Sequence, residues 1–514
     1  MADTSSDLTP EQRALLILRL SKQRKAQTAQ GQRPPLVPVP RNGPLPLSYA
    51  QQGMWFTQQF DPASPVYNVA DAVELIGQFD RQAFQRALNE VIRRHEVLRT
   101  TFVPDAGSQP VQVIRAELRI DLPLVDLSEL SAEQHETQLQ QHMREEGQRP
   151  FDLQQGPLIR ATLVRLAPEH HVLLFALHHL VVDGWSMGVL LREVTALYGA
   201  FSQGRPSPLA DLVLQYADYA VWQRMWLQGD VLADQLAYWR RQLQDAPPTH
   251  DLSISQRRPE RISFVGRTEV FTMPAEQLAA LKQFSQDANA TLFMTLLAAF
   301  KLLLHFYSNR DDIVVGTDVA NRRQSELEPL IGLFVNQLVL RTSLSGEPSF
   351  RQVVERVRDV TVAAFTHQDL PFDKLVSALK PERGSTQMPF FQIKFVLQNA
   401  PRPPLELPGL QLNLIGVYNN TAKLDMLINL FDTPDGLMGE VQYHQDVFDP
   451  LRINHFIQNY QLILCHILAH PDVTKHDLRQ LLETAHKDQQ EAWMRANKQS
   501  NSKKLQSILK TRSS

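Results

Sequence analysis

The sequence predicts an α/β protein built from two lobes of related topology. Its 514 residues are too many for a single hydrophobic core and suit two lobes of roughly 200 residues each, with tails. Segments with the period of a strand and segments with the period of a helix alternate in a similar order in both halves of the chain. Hydrophobic residues make up 43% and charged residues 21% of the chain, which is typical of a folded globular protein.

In the first half, a buried strand leads through a loop into a helix. An apolar segment over residues 158–166 is followed by the uninterrupted apolar run 172–177, which predicts a strand buried on both faces. After Gly184, apolar residues recur at helical spacing from 187 to 198, and Ser186 is placed to cap this helix. The loop between strand and helix therefore lies at the end of a buried strand.

The second half repeats this order loosely. A strand over 268–272 precedes a helix that starts at Pro274, and Thr291 is placed to cap another helix. The later elements are a strand at 313–316, paired strands at 424–431 and 437–443, and a helix after Asp449. Identity between the halves is too slight to establish an internal repeat.

These patterns divide the chain into five segments. A short helix within 1–33 is interpreted as a docking element or linker, and the proline-rich segment 34–44 is expected to be an extended spacer that holds this helix off the main body. The remaining bounds are 45–225 for the N-terminal lobe, 226–483 for the C-terminal lobe and 484–514 for a polar, mobile linker.

Charge and composition argue against several function classes. There are 52 basic and 55 acidic residues, so no global positive field attracts nucleic acid or anionic lipid. The single cysteine, Cys465, excludes a disulfide framework and a cysteine-based zinc site, and its apolar helical surroundings predict that it packs in the core. Without a signal segment or an apolar run of spanning length, a cytoplasmic location is expected and a membrane partner is not.

The residues that carry chemistry are two adjacent histidines followed by Asp-Gly at a fixed spacing. His178 and His179 follow the buried strand, where neighbouring side chains point to opposite faces, so we expect one to face a cleft and the other to pack inward. An imidazole is neutral yet protonatable at working pH, which suits proton transfer during acyl transfer. Asp183 is expected to hold the loop by pairing with a base or with backbone amides, and Gly184 to permit a tight turn.

No activated serine or cysteine accompanies this motif. The sequence lacks a Gly-x-Ser-x-Gly segment, and Cys465 lies in an apolar helix. An acyl group would then pass directly between two bound substrates. From the motif alone, a structural interpretation remains open, in which the histidines are hydrogen-bonded core residues and Asp-Gly is an ordinary turn.

The motif HHLVVDGWS, residues 178–186, resembles the signature of the condensation domains of nonribosomal peptide synthetases. The resemblance extends along the main body. The other segments similar to family motifs are, in family order, SYAQQGMWF at 48–56, RHEVLRTTF at 94–102, YADYAVWQ at 216–223, IGLFVNQ at 331–337 and HQDLPFDKLV at 367–376.

The resemblance implies a fold of two chloramphenicol acetyltransferase-like lobes in a V-shaped pseudo-dimer. It implies that His179 is catalytic and that Asp183 is structural, paired with Arg322. The other residues that it assigns to the motif and its support are His178, Gly184, Trp185 and Ser186. The family usually has proline and glycine where this chain has Asp318 and Asn321, and the charged group Arg94, His95 and Arg99 is expected to hold the fold.

The resemblance also implies the substrates and partners. A donor acyl thioester and an acceptor amine would be carried on phosphopantetheine arms of two carrier protein domains, beside neighbouring synthetase modules, with no metal or bound cofactor. Two alternatives stay open: an ester-forming domain with a hydroxyl nucleophile, and a non-catalytic platform that binds carrier proteins. Retention of the paired histidines argues against heterocyclisation, and the absence of a Glu-Gly-His-Gly-Arg-Glu segment argues against epimerisation; the motifs favour an L-configured donor.

Overall fold

The fold is taken from a computed structural model that describes residues 33–248, 251–256, 265–380, 388–398, 409–415 and 421–487. The predicted N-terminal helix lies outside the described residues, and so does the predicted linker from 488 onward.

The first half of the chain forms helices packed on mixed β-structure. Its elements are, in chain order, β1 (Leu45–Pro46), α1 (Tyr49–Phe60), β2 (Asn68–Gly77), α2 (Arg81–Arg94), β3 (Thr100–Pro104), β4 (Pro110–Ile114), β5 (Leu124–Asp126), α3 (Ala132–Gln148), β6 (Ile159–Ala167), β7 (His170–His178), α4 (Gly184–Phe201), α5 (Tyr216–Trp226) and α6 (Gly229–Leu243).

The second half has the same kind of composition. Its elements are β8 (Gly266–Pro274), α7 (Ala275–Asp287), α8 (Leu292–Ser308), β9 (Asp312–Val319), β10 (Asn336–Ser343), α9 (Phe350–Thr366), α10 (Phe372–Leu379), β11 (Ile393–Gln398), β12 (Leu410–Ile415), β13 (Met426–Thr433), β14 (Gly436–His444) and α11 (Pro450–Ala469), followed by helical residues over 475–487. Thr291 caps α8 as predicted, because its side chain accepts the Met294 N–H.

Among the described residues the strands form three sheets. A five-stranded sheet has the order β12-β2-β7-β6-β5, a six-stranded sheet has the order β10-β9-β11-β13-β14-β8, and a small sheet has the order β1-β4-β3. The antiparallel pair β2 and β7 places Asn68 opposite His178. The first histidine of the motif therefore lies at the end of the central strand of its sheet.

Two large hydrophobic cores correspond to the two predicted lobes. One is built mainly from the first half, with Phe84, Phe175 and Leu197 among its buried residues. The other is built from the second half, with Leu303 and Phe395 completely buried. Burial of each such side chain stabilises the fold by roughly 1.5–3 kcal/mol relative to exposure.

Two segments of the second half pack with the first. Residues 327–335 contribute buried side chains to the N-terminal core, and β12 pairs antiparallel with β2 in the N-terminal sheet. The division into lobes at residue 225 therefore remains a prediction, and these two segments cross it.

The proline-rich segment, predicted to be an extended spacer, contacts the main body. The Trp222 indole N–H donates to the Pro34 carbonyl over 2.7 Å, and the Val39 N–H donates to the Asp218 carboxylate over 2.8 Å. Arg41 forms ion pairs with Asp218 and Glu96. Residues 34–44 therefore contact α5, because the segment accepts a hydrogen bond from Trp222 and donates to Asp218.

The prediction for Cys465 is wrong. Its neighbours Ile463 and Leu464 are buried, but Cys465 itself is exposed. An apolar helix still has an outer face, and this residue lies on it.

Within the described part of the chain, no single helix is both long enough and apolar enough to cross a membrane. The helices α7 and α8 reach that length and composition only when they are taken together, across a bend of 99°.

Candidate functional site

The motif forms a tight connection between β7 and α4. The strand ends at His178 and the helix starts at Gly184, and the side chain of Asp183 caps the helix by accepting the Ser186 N–H over 2.8 Å. The predicted cap at Ser186 is therefore wrong by three positions. Gly184 also serves no left-handed turn, since it is the first helical residue and its φ lies outside the positive region.

His178 is enclosed in the N-terminal lobe. Its side chain is 1% exposed, its Nδ1 accepts the Leu180 N–H over 3.1 Å, and its ring lies 6.1 Å from the rings of both Tyr67 and Phe151. Burial, followed by the charges of His179 and Lys423, lowers the pKa of His178 to about 3. A ring that stays neutral and enclosed serves packing rather than proton transfer.

His179 points the other way and is only partly buried. Its backbone N–H donates to the Tyr67 carbonyl over 2.8 Å, and its Nδ1 donates to the Val182 carbonyl over 2.7 Å. This bond fixes the proton on Nδ1 and leaves a lone pair on Nε2. Among the described residues Nε2 has no hydrogen-bond partner, and it is not sealed from solvent.

Desolvation is the main reason that the pKa of His179 lies below its ordinary value. The positive charge of Lys423 acts in the same direction, whereas the Val182 carbonyl and Asp183 oppose it. The ring is therefore held neutral at physiological pH. A neutral imidazole with a free Nε2 can accept a proton from a group in front of it.

Asp183 joins three parts of the chain. It is 2% exposed; its Oδ1 accepts from the Ser186 backbone and hydroxyl, and its Oδ2 accepts the N–H groups of Phe334 and Val335 over 2.9 and 3.2 Å. Arg322 donates to Oδ1 over 3.3 Å, and both side chains of this ion pair are enclosed. The carboxylate thus ties the loop to α4, to the segment that leads into β10 and to Arg322.

Ser186 and Trp185 bind the same neighbouring segment. The Ser186 hydroxyl accepts the Gly332 N–H over 3.0 Å and a guanidinium N–H of Arg322 over 2.7 Å. The Trp185 indole N–H donates to the Glu328 carbonyl over 3.0 Å. Both residues act in docking α4 against residues 328–332.

The two departures from the family pattern have different surroundings. Asn321 has φ 54° and donates to the Tyr219 hydroxyl; asparagine tolerates this left-handed conformation, in which glycine is otherwise favoured. Asp318 accepts from the Lys394 ammonium over 2.9 Å. Neither change disturbs Arg322, which also donates to the carbonyls of Leu327 and Leu330.

The charged group at 94–99 contacts α4 and includes a partner, Glu193, that the sequence did not predict. Arg94 binds Glu193 through two hydrogen bonds, and His95 Nε2 lies 3.1 Å from the same carboxylate. The His95 Nδ1 accepts the Ile331 N–H. Buried as they are, these residues lock α2 to α4.

Sequence reasoning also missed Tyr67 and Lys423. The Lys423 ammonium lies 4.4 Å from the centre of the Tyr67 ring, and the Tyr67 carbonyl in turn accepts the His179 N–H. Neither residue is in a motif, and the two are far apart in sequence, so only the folded structure brings them into contact. Lys394 did carry a signal, since it interrupts the apolar strand β11 with a charge.

No described residues form a metal site. Groups of three or more histidine, cysteine, aspartate or glutamate side chains with suitable placement are absent from the part of the chain that the structure describes.

Comparison with known proteins identifies relatives over most of the chain. A family model described as "Condensation domain" matches residues 42–490. One of the linear gramicidin synthase subunits of Brevibacillus parabrevis is 46% identical over 85% of this chain, and phosphinothricin tripeptide synthetase PhsC of Streptomyces viridochromogenes is 37% identical over 93%. The chain spans 6% of the first relative's length and 44% of the second's.

Solved structures show the same fold. The X-domain in complex with OxyB from teicoplanin biosynthesis superimposes with a TM-score of 0.78 at 29% identity, covering 87% of this chain and 98% of that one. The first condensation domain of the calcium-dependent antibiotic synthetase, bound to a substrate analogue, has a TM-score of 0.72 at 22% identity, covering 85% and 99%. The predicted α/β class with two chloramphenicol acetyltransferase-like lobes is confirmed.

Proposed function

This chain belongs to the condensation-domain family of nonribosomal peptide synthetases, and from that premise we propose that it forms an amide bond by attack of an acceptor amine on a donor thioester. The observation that carries the proposal is His179, whose Nδ1 is fixed by Val182 and whose Nε2 is free. Both substrates are carried on phosphopantetheine arms of donor and acceptor carrier domains, and the chain works beside further synthetase modules in the cytoplasm.

The reaction does not require the imidazole to be a strong base. A thioester is already activated, and an α-amine with a pKa of about 7.7–8.0 is partly neutral at working pH. The amine nitrogen attacks the carbonyl carbon, and Nε2 of His179 accepts a proton as the C–N bond forms. The C–S bond then breaks, and the same proton goes to the leaving thiolate.

The other motif residues hold His179 in place. Asp183 and Arg322 fix the end of the loop, Ser186 and Trp185 dock α4, and the enclosed His178 packs the strand end. Gly184 leaves open space where a side chain would begin. We assign these residues to support and only His179 to contact with the reacting groups.

A platform that binds other proteins is the second candidate. The likeness to an X-domain that was solved together with OxyB favours it. The free Nε2 of His179 favours catalysis, because a platform does not need an oriented imidazole. An ester-forming reaction would use the same residues with a hydroxyl nucleophile.

Substitution of His179 tests the proposal. Using two loaded carrier proteins, we expect His179→Ala to reduce amide formation by about 10²-fold or more, with unchanged thermal unfolding, because general-base assistance is lost. The matched control is His476→Ala, which removes an exposed histidine and should leave the rate unchanged. Parallel acceptors that differ only in amine or hydroxyl distinguish amide from ester formation. Condensation by His179→Ala at the wild-type rate would make the platform the better interpretation.

A further inference from the structure

A cation from the second half of the chain lies against the motif. The Lys423 ammonium is 4.4 Å from the Tyr67 ring centre, and the Tyr67 ring is 6.1 Å from the His178 ring. The Tyr67 carbonyl binds the backbone of His179. Besides desolvation, the charge of Lys423 also lowers the pKa of His179, so Lys423 belongs to the immediate surroundings of the proposed catalytic residue, although it is remote from it in sequence.

A second lysine near Lys423 is already neutralised. Along β11, Ile393 and Phe395 are buried in the C-terminal core, so Lys394 between them projects from the opposite face of the sheet. There it binds Asp318 with N–O distances of 2.9 and 3.3 Å. The charges of Lys394 and Asp318 therefore cancel. Their pairing explains why an aspartate is accommodated at position 318.

Lys423 differs from Lys394 because it has no carboxylate partner among the described residues. Among the described residues, none of the ion pairs involves Lys423, and its ammonium lies instead over the face of the Tyr67 ring. Its side chain is exposed, yet desolvation and then the charge of Lys394 lower its pKa to about 7, against the opposing effect of Asp318. An exposed ammonium without a carboxylate partner among the described residues is open to an anionic group of a bound substrate.

We propose that Lys423 forms a subsite for a carboxylate carried by one of the two substrates, so that this domain prefers an acidic aminoacyl or acyl group over its neutral isostere. The inference rests on the proposed function and specifies its substrate class. A carboxylate opposite Lys423 would supply the missing counter-charge through a charge-assisted hydrogen bond.

The chemistry of the site favours a substrate side chain over the phosphate of a carrier arm. In a phosphopantetheine thioester, the phosphate is at the opposite end of the arm from the reacting carbonyl. Lys423 is close to the motif that is proposed to meet that carbonyl. The carboxylate must therefore belong to the acyl or aminoacyl group itself, as in an aspartyl or glutamyl residue.

Matched substrate pairs on the full chain test this subsite. Carriers loaded with aspartyl or asparaginyl groups are offered first as donor with a neutral acceptor, then as acceptor with a neutral donor. In one of the two arms, wild type should favour the aspartyl substrate by about tenfold, the scale of one charge-assisted hydrogen bond. Lys423→Gln should abolish that preference, and Lys423→Glu should reverse it.

Lys374→Gln is the matched control. Lys374 likewise lies over a tyrosine ring, 4.6 Å from the centre of Tyr49. However, its charge is not among those that lower the pKa of His178 or His179, so the preference should persist in this variant. Turnover with alanyl substrates in wild type and Lys423→Gln reports whether condensation itself is intact. Equal use of aspartyl and asparaginyl substrates in both arms, with normal alanyl turnover, would overturn the subsite and leave the proposed function standing.

Binding gives a readout that does not depend on turnover. Carriers loaded through a stable amide link with aspartyl or asparaginyl groups are titrated against wild type and Lys423→Gln. The aspartyl carrier should bind about tenfold more tightly to wild type only. Equal affinities in both proteins would overturn the subsite even if no condensation were detected with any substrate.

Discussion

At the scale of single residues, Asp183 gathers more buried polar contacts than either imidazole of the motif. Its two oxygens accept from Ser186, Phe334, Val335 and Arg322. Since the Arg322 side chain is also enclosed, loss of the carboxylate would leave a buried cation without a counter-charge. The backbone N–H groups of Ser186, Phe334 and Val335 would lose their acceptor. Loss of Asp183 would therefore lower the stability of the fold, whereas loss of His179 would lower the rate of the reaction.

We expect Asp183→Ala to reduce the free energy of unfolding by about 3–5 kcal/mol, the range for removing one partner of a buried ion pair. Urea denaturation with a tryptophan-fluorescence readout measures this change. Adding Arg322→Met to Asp183→Ala should recover part of the loss, because the unpaired cation is then removed as well. Unfolding of Asp183→Ala at the wild-type midpoint would show that this network carries no stability.

The sequence predicted those site residues whose positions follow from the local sequence around them. His178 and His179 diverge as a strand end requires, and Asp183 binds backbone amides as expected. Their neighbours Tyr67 and Lys423 could not be predicted. No local sequence pattern indicates that the backbone carbonyl of a tyrosine will bind His179, or that a lysine will lie over that tyrosine ring. Glu193 was missed for the same reason, since it lies in an ordinary helical stripe.

At the scale of elements, the sequence located helices and strands well and their surroundings less well. Serine and aspartate are both good capping residues, so the sequence allowed Ser186 or Asp183. The hydrogen bond from the Ser186 N–H to the Asp183 side chain shows that Asp183 is the cap. The prolines predicted an extended segment over 34–44, and these residues form neither helix nor strand. They could not show that this segment lies on α5, because the acceptor, Asp218, is a buried residue of another element.

We expect Arg41→Gln to destabilise the protein by about 1–3 kcal/mol, because Asp218 is 1% exposed in the ion pair and a buried carboxylate would lose its cation. Chemical denaturation measures the change. Arg165→Gln removes the same group from the exposed pair with Asp126 and should have no measurable effect. If both variants unfold alike, the proline-rich segment is not anchored through Arg41.

At the scale of the whole molecule, the protein encloses ionisable groups in both lobes. Tyr216 and His178 lie in the N-terminal core region, and Lys301 is completely buried in the other lobe. The Lys301 ammonium donates to the carbonyls of Ile313 and Leu340 over 3.2 and 2.6 Å, joining α8 to the strand pair β9 and β10. The two carbonyl partners satisfy two of its three hydrogens but provide no counter-charge.

This burial links the stability of the whole protein to pH. Desolvation, weakly opposed by Asp312, lowers the pKa of Lys301 from 10.5 to about 7. Between these two values the unfolded chain binds a proton that the folded chain has released, so unfolding takes up a proton and stability rises with pH. The contribution of neutral, buried Lys301 to stability is fully present above pH 10.5 and is lost as the pH falls toward 7.

We expect the free energy of unfolding to rise between pH 7.5 and 9.5, with Lys301 contributing about 1 kcal/mol per pH unit. Lys301→Met keeps the length and apolar character of the side chain but removes the titrating group, so its unfolding free energy should have a shallower slope over this window. Leu303→Met, an uncharged change at another buried position of α8, should keep the wild-type slope. Denaturant titrations at five pH values measure all three slopes, and a Lys301→Met slope equal to that of wild type would mean that the buried lysine keeps its proton throughout. The comparison rests on slopes, so any constant loss caused by leaving the Ile313 and Leu340 carbonyls without this donor cancels.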